Sequence, residues 1–343
     1  MSVLAIAFTS RPARESPNIR GRSSLADARA ADIYYRSLVV SFASVRRWNE
    51  YLPLLFVTDG ETPQPYSSAL RALEVETETV TFEHRPPAEF GQTHIASLYS
   101  LDALRSLSTG GHGQVILLDP DVLCRGDLSP LLAETKNSVG ALPCGVISAN
   151  ATQLHLSLDE TLGPGRSTFY EGACYVVDAI HFPVLLAQAD RAWQLSLTNF
   201  PAGLKYFATE QDVLNFALRS VPVVSIRPYI STIWTTRTHR TVPPDVERLP
   251  LWHLPSEKDR AFARLFEPAT DSSSWFWTAN GEKYAEMIRR VTQIPRRSPV
   301  RWTCDTGARL VRRLQSAMKL NVQTTVPSVS ESVEIGSAAE LDT

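Results

Sequence analysis

Cysteine is scarce in this sequence and never closely paired. Cys124, Cys144, Cys174 and Cys304 are its four cysteines, and no Cys-x-x-Cys spacing exists among them, which argues against a zinc ribbon and a disulfide framework. Three of them lie in apolar, strand-like runs and read as core thiols of a cytoplasmic protein. A long hydrophobic run is missing too, since no segment approaches the ~18 apolar residues of a membrane span. Met1 to Phe8 is apolar but short and lacks a basic flank, so a first strand is expected there rather than a signal peptide. Nor is there a basic excess. The 34 Lys and Arg face 36 Asp and Glu, a net charge of -2 that gives no sign of nucleic acid as a partner. No internal repeat is visible. What remains is 43% hydrophobic and 20% charged over 343 residues, which suits one large α/β domain or two small ones with ample core.

The most informative stretch is Gln114-Val115-Ile116-Leu117-Leu118-Asp119-Pro120-Asp121-Val122-Leu123. An apolar run bounded by Gly111 and Gly113 predicts a central strand covered on both faces. Its carboxyl end carries Asp-x-Asp, at the rim where open α/β sheets bind ligands. Two carboxylates there need a neutralising partner, and a divalent cation carrying phosphates is one. Magnesium and manganese take hard oxygen ligands and keep positions open for substrate phosphates. A neutral imidazole suits manganese as a further ligand, and His253, after the apolar pair Leu251-Trp252, is the candidate. On pattern alone the two acids read equally as a solvated turn, and His253 as a loop histidine.

Around this strand the periodicity alternates. Strands are expected at Val3 to Phe8, Leu52 to Thr58 and Val80 to Phe82, with helices at Leu25 to Trp48, Ser67 to Leu73 and Ile95 to Leu107. Such alternation predicts an α/β fold with a mixed, mostly parallel sheet flanked by helices. Further strands are expected at Ser138 to Pro143, Phe169 to Val177 and Val221 to Ile226. Short or amphipathic helices are expected at Asp127 to Leu132, Gln211 to Leu218 and Glu282 to Val291. Trp234, Trp252, Trp275, Phe276 and Trp277 concentrate in the C-terminal part, either as flat faces for a ligand or as core. Arg289 to Lys319 holds eight arginines and one lysine against a single acid, Asp305. Such a helix would present a solvated basic face or rest on an anionic membrane surface. The domain reading is therefore 1–295 as one domain, 296–320 as a basic helical extension and 321–343 as a disordered tail.

The order of several motifs resembles the GT-A glycosyltransferases, and among them retaining family 8, the glycogenin and bacterial galactosyltransferase type. Tyr35 to Phe42 followed by Pro53 to Asp59 resembles that family's opening helix and second strand. Val115 to Leu123, continuing through Gly126 to Leu131 and Val139 to Ala141, resembles its metal strand and the elements after it. Tyr170 to Val177 stands where the family has an Asn-Ala-Gly strand beneath the donor sugar. Glu210-Gln211-Asp212-Val213-Leu214-Asn215 resembles its Asp-Gln-Asp helix start, and His253 to Lys258 its His-x-x-Gly-x-x-Lys motif. The similarity spans roughly residues 2 to 295.

The resemblance implies a Rossmann-like GT-A sheet and transfer of a hexose from a nucleotide diphosphate sugar, a UDP-sugar in this family, to a saccharide or glycolipid. Retention of the anomeric configuration and a role in surface polysaccharide or glycolipid assembly follow from the same likeness. It implies Mn2+ or Mg2+ on Asp119, Asp121 and His253. Donor contacts are implied for Thr9, Ser10, Asp59, Asp119, Asp121, Glu171, Gly172 and Lys258. Gln211, Asp212 and Glu210 are implied at the anomeric centre. The implied location is the cytoplasm or its membrane surface. Several positions depart from the pattern. Glu171 replaces an Asn and Glu210 an Asp. Lys258 stands one residue closer to His253 than the family's lysine, and the glycine is absent, so Lys258 or Arg260 would meet the diphosphate. A long basic loop follows Ser10. The rival readings are a haloacid-dehalogenase-type phosphohydrolase, a sugar nucleotidyltransferase and an inactive sugar-nucleotide-binding scaffold. The first would carry Asp-x-Asp near its N-terminus, and the second a glycine-rich loop that Ala7 to Arg11 lacks.

Overall fold

In the computed structural model, residues 1–10, 27–87, 95–144, 168–199, 209–236 and 240–296 are described, together with Pro299 and Thr303. Residues 1–296 cluster as one compact unit. Nearly all of the expected basic extension and tail at 296–343, Cys304 included, and the long loop after Ser10 lie outside the described residues. No described helix is long and apolar enough to cross a membrane.

A mixed, mostly parallel sheet forms the centre, as expected of the GT-A type. Seven strands stand in the order β3-β2-β1-β4-β7-β6-β8. They are β1 (Ser2–Ala7), β2 (Leu54–Thr58), β3 (Val75–Thr79), β4 (Gln114–Leu118), β6 (Val139–Pro143), β7 (Tyr170–Asp178) and β8 (Val223–Ser225). Every pairing is parallel except those of β7, which runs against both β4 and β6.

Side chains of successive residues point to opposite faces of a strand, and both faces here are covered. On β4, Ile116 and Leu118 join one core cluster and Val115 and Leu117 the other. Leu4 and Ile6 of β1 divide from Val3 and Ala5 in the same way. Helix Asp27–Trp48 covers the first face through Leu38, Val39 and Phe42. Helices Tyr99–Thr109, Phe182–Asn199 and Glu210–Ala217 cover the second.

The third strand lies five residues earlier than expected, at Val75–Thr79 rather than Val80–Phe82. As the edge strand it has one partner and an outward side open to water, so its Glu and Thr residues are tolerated. Val80 continues the chain with an N–H bond to Thr58 O at 2.8 Å, while Phe82 leaves the sheet to pack edge-on against Tyr99. A second departure matters more. The apolar strand ends before Asp119-Pro120-Asp121, as expected, but Val122–Cys124 then forms β5 and joins a separate sheet. That sheet orders β5 beside β12 (Leu251–His253), and β12 beside β9 (Ile230–Thr232), while β10 (Trp234–Thr235) pairs antiparallel with β11 (Arg240–Thr241).

Helix Asp27–Trp48 closes the free edge of β5. Ser41 donates its hydroxyl to Val122 O at 2.7 Å, and Ser44 accepts from Cys124 N–H at 2.8 Å. These buried hydroxyls stand in for a neighbouring strand and satisfy groups that would each cost about 1–3 kcal/mol if left bare.

Candidate active site

The Asp-x-Asp turn sits where the two sheets part. Asp119 donates its N–H to Ala173 O of β7 at 3.1 Å, and Val122 N–H returns to Asp119 O at 3.2 Å. Antiparallel pairing places His253 opposite Val122, and Leu254 N–H bonds Asp121 O at 3.0 Å. The pairing of β5 and β12 therefore delivers the imidazole to the two acids. His253 Nε2 lies 3.4 Å from Asp119 Oδ2 and 3.5 Å from Asp121 Oδ1. One ligand atom from each of the three residues falls within 4.8 Å of the other two.

Lys258 enters the same cluster. Its ammonium is ion-paired with Asp121 Oδ2 and lies 5.5 Å from the Tyr34 ring centre, both residues being buried. Burial alone would raise Asp121, yet Lys258 and His253 hold it well below the usual carboxylate range. Asp119, with 40% of its side chain open to the cavity, is pushed up to about 6 by desolvation, with His253 opposing the rise. Burial lowers His253, but Asp121 and Asp119 outweigh it and the imidazole titrates above its ordinary value. Desolvation pushes Tyr34 up to about 12, so it stays a neutral phenol.

A second wall comes from helix Glu210–Ala217. Thr209 and Asp212 form a reciprocal cap at its start: Asp212 Oδ2 accepts from the Thr209 N–H, and Thr209 Oγ1 accepts from the Asp212 N–H. Asn215 ties the helix to β7 by accepting from Tyr170 N–H at 2.7 Å and donating to Tyr170 O at 2.8 Å. The helix start thereby lies over Gly172, whose N–H donates to Gln211 Oε1 at 3.1 Å. A Cβ at Gly172 would stand 2.7 Å from Glu210 Oε1, so only glycine admits this approach. Burial pushes the Glu210 carboxyl up to about 7, with a hydrogen bond from Ser97 opposing and Asp119 adding to the rise. Its Oε2 has no hydrogen-bond partner among the described residues.

These groups line one cavity of about 830 Å³, within the range of small-ligand sites. Asp119, Asp121, Glu171, Gly172, Glu210, Gln211, His253, Lys258 and Thr9 all face it. Ser10 is exposed, and Asp59 sits behind Thr9, accepting its hydroxyl at 2.7 Å. Asp212 and Arg260 are not among the lining residues. Of the five C-terminal aromatics only Trp234 lines the cavity. Trp252 and Phe276 are buried core, and Trp275 and Trp277 pack against it. Cys124 and Cys174 are buried thiols, as expected, and Cys144 is partly buried.

Sequence reasoning missed three contributors. Thr232 bridges Glu171 and His253, Tyr34 roofs Lys258, and Asn215 anchors helix Glu210–Ala217. Only Asn215 carried a signal, as the last residue of the Glu210-to-Asn215 motif. The donor set fits a divalent cation: two carboxylate oxygens and one imidazole nitrogen suit manganese or magnesium. Lys258 takes the far oxygen of Asp121 and leaves Oδ1 toward His253.

No family model matches the chain, and no curated protein matches it. Among solved structures, it is similar to the galactosyltransferase LgtC in complex with donor and acceptor sugar analogues. That likeness has 15% identity and a TM-score of 0.48, over 86% of this chain and 98% of that one. It is also similar to mouse xyloside xylosyltransferase 1 in its apo form, with 12% identity and a TM-score of 0.49, over 75% of this chain and 99% of that one. A third likeness is to the apo bifunctional glycosyltransferase WbbM, with 11% identity and a TM-score of 0.47, over 82% of this chain and 51% of that one.

Proposed function

We propose that the protein is a metal-dependent glycosyltransferase. It moves a hexose from a nucleotide diphosphate sugar, a UDP-sugar by motif resemblance, to a saccharide or glycolipid acceptor with retention of configuration. The observation that carries this reading is the convergence of Asp119, Asp121 and His253 at the wall of a cavity also lined by Glu171, Glu210 and Gln211.

Charge balance supports it. With His253 neutral, as a metal ligand must be, Asp119 and Asp121 against Lys258 leave one negative charge at the place where a diphosphate would sit. A divalent cation reverses that sign, so donor binding depends on it. When bound, Mn2+ or Mg2+ supplies Lewis-acid stabilisation to the departing diphosphate. Asp119, Asp121 and His253 would hold it. Lys258 adds a fixed positive charge beside the leaving group and fixes the orientation of Asp121.

Across the cavity, Glu210 and Gln211 face the sugar. Gln211 Oε1 is engaged by Gly172 N–H, so Gln211 acts as an oriented dipole at the anomeric centre rather than as a nucleophile. Glu210, whose carboxyl is raised to about 7, offers its otherwise unpartnered oxygen to a sugar hydroxyl. Asp212 serves by capping the helix that presents both. Thr9, with Asp59 behind it and Ser10 beside it, marks the nucleotide end, at the carboxyl ends of β1 and β2. Trp234 offers the acceptor an aromatic face.

The test is slow hydrolysis of a panel of UDP-, GDP- and ADP-sugars with manganese and with chelator. Manganese-dependent release of nucleotide from one donor supports the reading and names its sugar. No release and no calorimetric binding of any donor would sink it in favour of a non-catalytic scaffold.

A further inference from the structure

We propose that Glu171 and Thr232 are positioning residues that hold His253 in the tautomer a divalent cation requires, an inference that rests on the metal-dependent reading above. The geometry is a relay across two sheets. Parallel pairing of β9 and β12 puts Thr232 in register with His253, and Glu171 reaches them from β7 of the large sheet. Thr232 Oγ1 lies 2.9 Å from His253 Nδ1 and donates its hydrogen to Glu171 Oε2.

A hydroxyl has one hydrogen. Because Glu171 takes it, the Thr232 oxygen can only accept from the imidazole, and Nδ1 must carry a proton. Neutral His253 then presents a bare Nε2 toward Asp119 Oδ2 and Asp121 Oδ1, 3.4 and 3.5 Å away. The opposite tautomer has its own attraction. An Nε2–H would donate to those acids, and it would block the lone pair a cation needs. Thr232 without Glu171 could not resist it, since its hydroxyl is free to turn and donate to Nδ1. The carboxylate at 171 settles the direction of the whole chain. Glu171 thus has a task distinct from the sugar contact implied for the Asn it replaces.

Outer partners of metal-bound histidines are worth about 10–100-fold in metal affinity. The experiment is a manganese titration of the full chain without nucleotide, reading free Mn2+ by electron paramagnetic resonance. Wild type, Thr232→Val, Thr232→Ser, Glu171→Ala and His253→Ala are compared. The expected result is a 10–100-fold weaker affinity for Thr232→Val and Glu171→Ala, with Thr232→Ser restored to the wild-type value. In metal-free protein with neutral His253, 15N correlation spectra should report Nδ1–H in wild type and Nε2–H in Thr232→Val. Wild-type affinity and an unchanged tautomer in Thr232→Val and Glu171→Ala, with binding weakened in His253→Ala, would overturn the relay and leave the metal site standing. Absence of any manganese binding by wild type would overturn the metal reading and the relay with it.

Discussion

Replacing Glu210 by Gln should stabilise the protein above neutral pH and do nothing below the ordinary carboxylate range. The side chain keeps its shape and loses only its ability to ionise. In the folded protein Glu210 titrates near 7 rather than 4.5, chiefly because it is buried. A folded state that binds a proton more tightly than the unfolded chain loses stability as pH rises. For Glu210 the loss begins near the unfolded value, about 4.5, and is complete once pH passes about 7. At about 1.4 kcal/mol per pH unit, that interval is worth at most about 3 kcal/mol. Glu210→Gln escapes the penalty. At about 2 °C per kcal/mol for a chain of this size, its Tm should exceed wild type by up to about 6 °C at pH 8. At pH 4.5 the two should nearly coincide. The assay is thermal unfolding at both pH values with chelator present. An equal Tm difference at the two pH values, or a variant less stable at pH 8, would refute the assignment of Glu210 as an acid whose pKa burial raises.

Three further outcomes test the surrounding geometry. Lys258→Met should cost up to about 3–5 kcal/mol in urea unfolding, since it leaves the buried Asp121 with only His253 beside it, and saturating manganese should narrow the deficit. Gly172→Ala should lower Tm only slightly, because the atom its Cβ meets is the end of a flexible side chain, while donor turnover falls at least tenfold as Glu210 is displaced; a large loss of Tm would contradict this. Asn215→Ala should cost about 2–4 kcal/mol in urea unfolding, as it leaves the N–H and carbonyl of Tyr170 unpaired.

The legible parts of the fold were those written as continuous apolar runs. Val115 to Leu118 announces a strand buried on both faces, and the acids after it announce its exposed end. The edge strand Val75–Thr79 was missed because Glu and Thr at an open edge carry no apolar signal, while Val80 and Phe82 imitate one. The separate strand β5 was missed for a related reason: Val122 to Cys124 is as apolar as β4 but is buried in a different sheet. His253 was a candidate from its place after Leu251-Trp252 and from motif resemblance, but its place beside the acids is set by cross-strand pairing with Val122. Lys258 was expected on the diphosphate, and the structure also ion-pairs it to Asp121 across 137 positions of sequence. Thr232 had no local signal at all. Its role exists only where β7, β9 and β12 meet.

The central claim is the three-residue cation site, and anomalous diffraction at the manganese edge tests it most directly. Crystals grown with manganese and a nucleoside diphosphate should give one strong peak within about 2.5 Å of Asp119 Oδ2, Asp121 Oδ1 and His253 Nε2. The same crystals of Asp119→Asn should lose it or show it weakened, with the fold unchanged. A peak elsewhere, or no peak at saturating manganese with the nucleotide bound, would contradict the account.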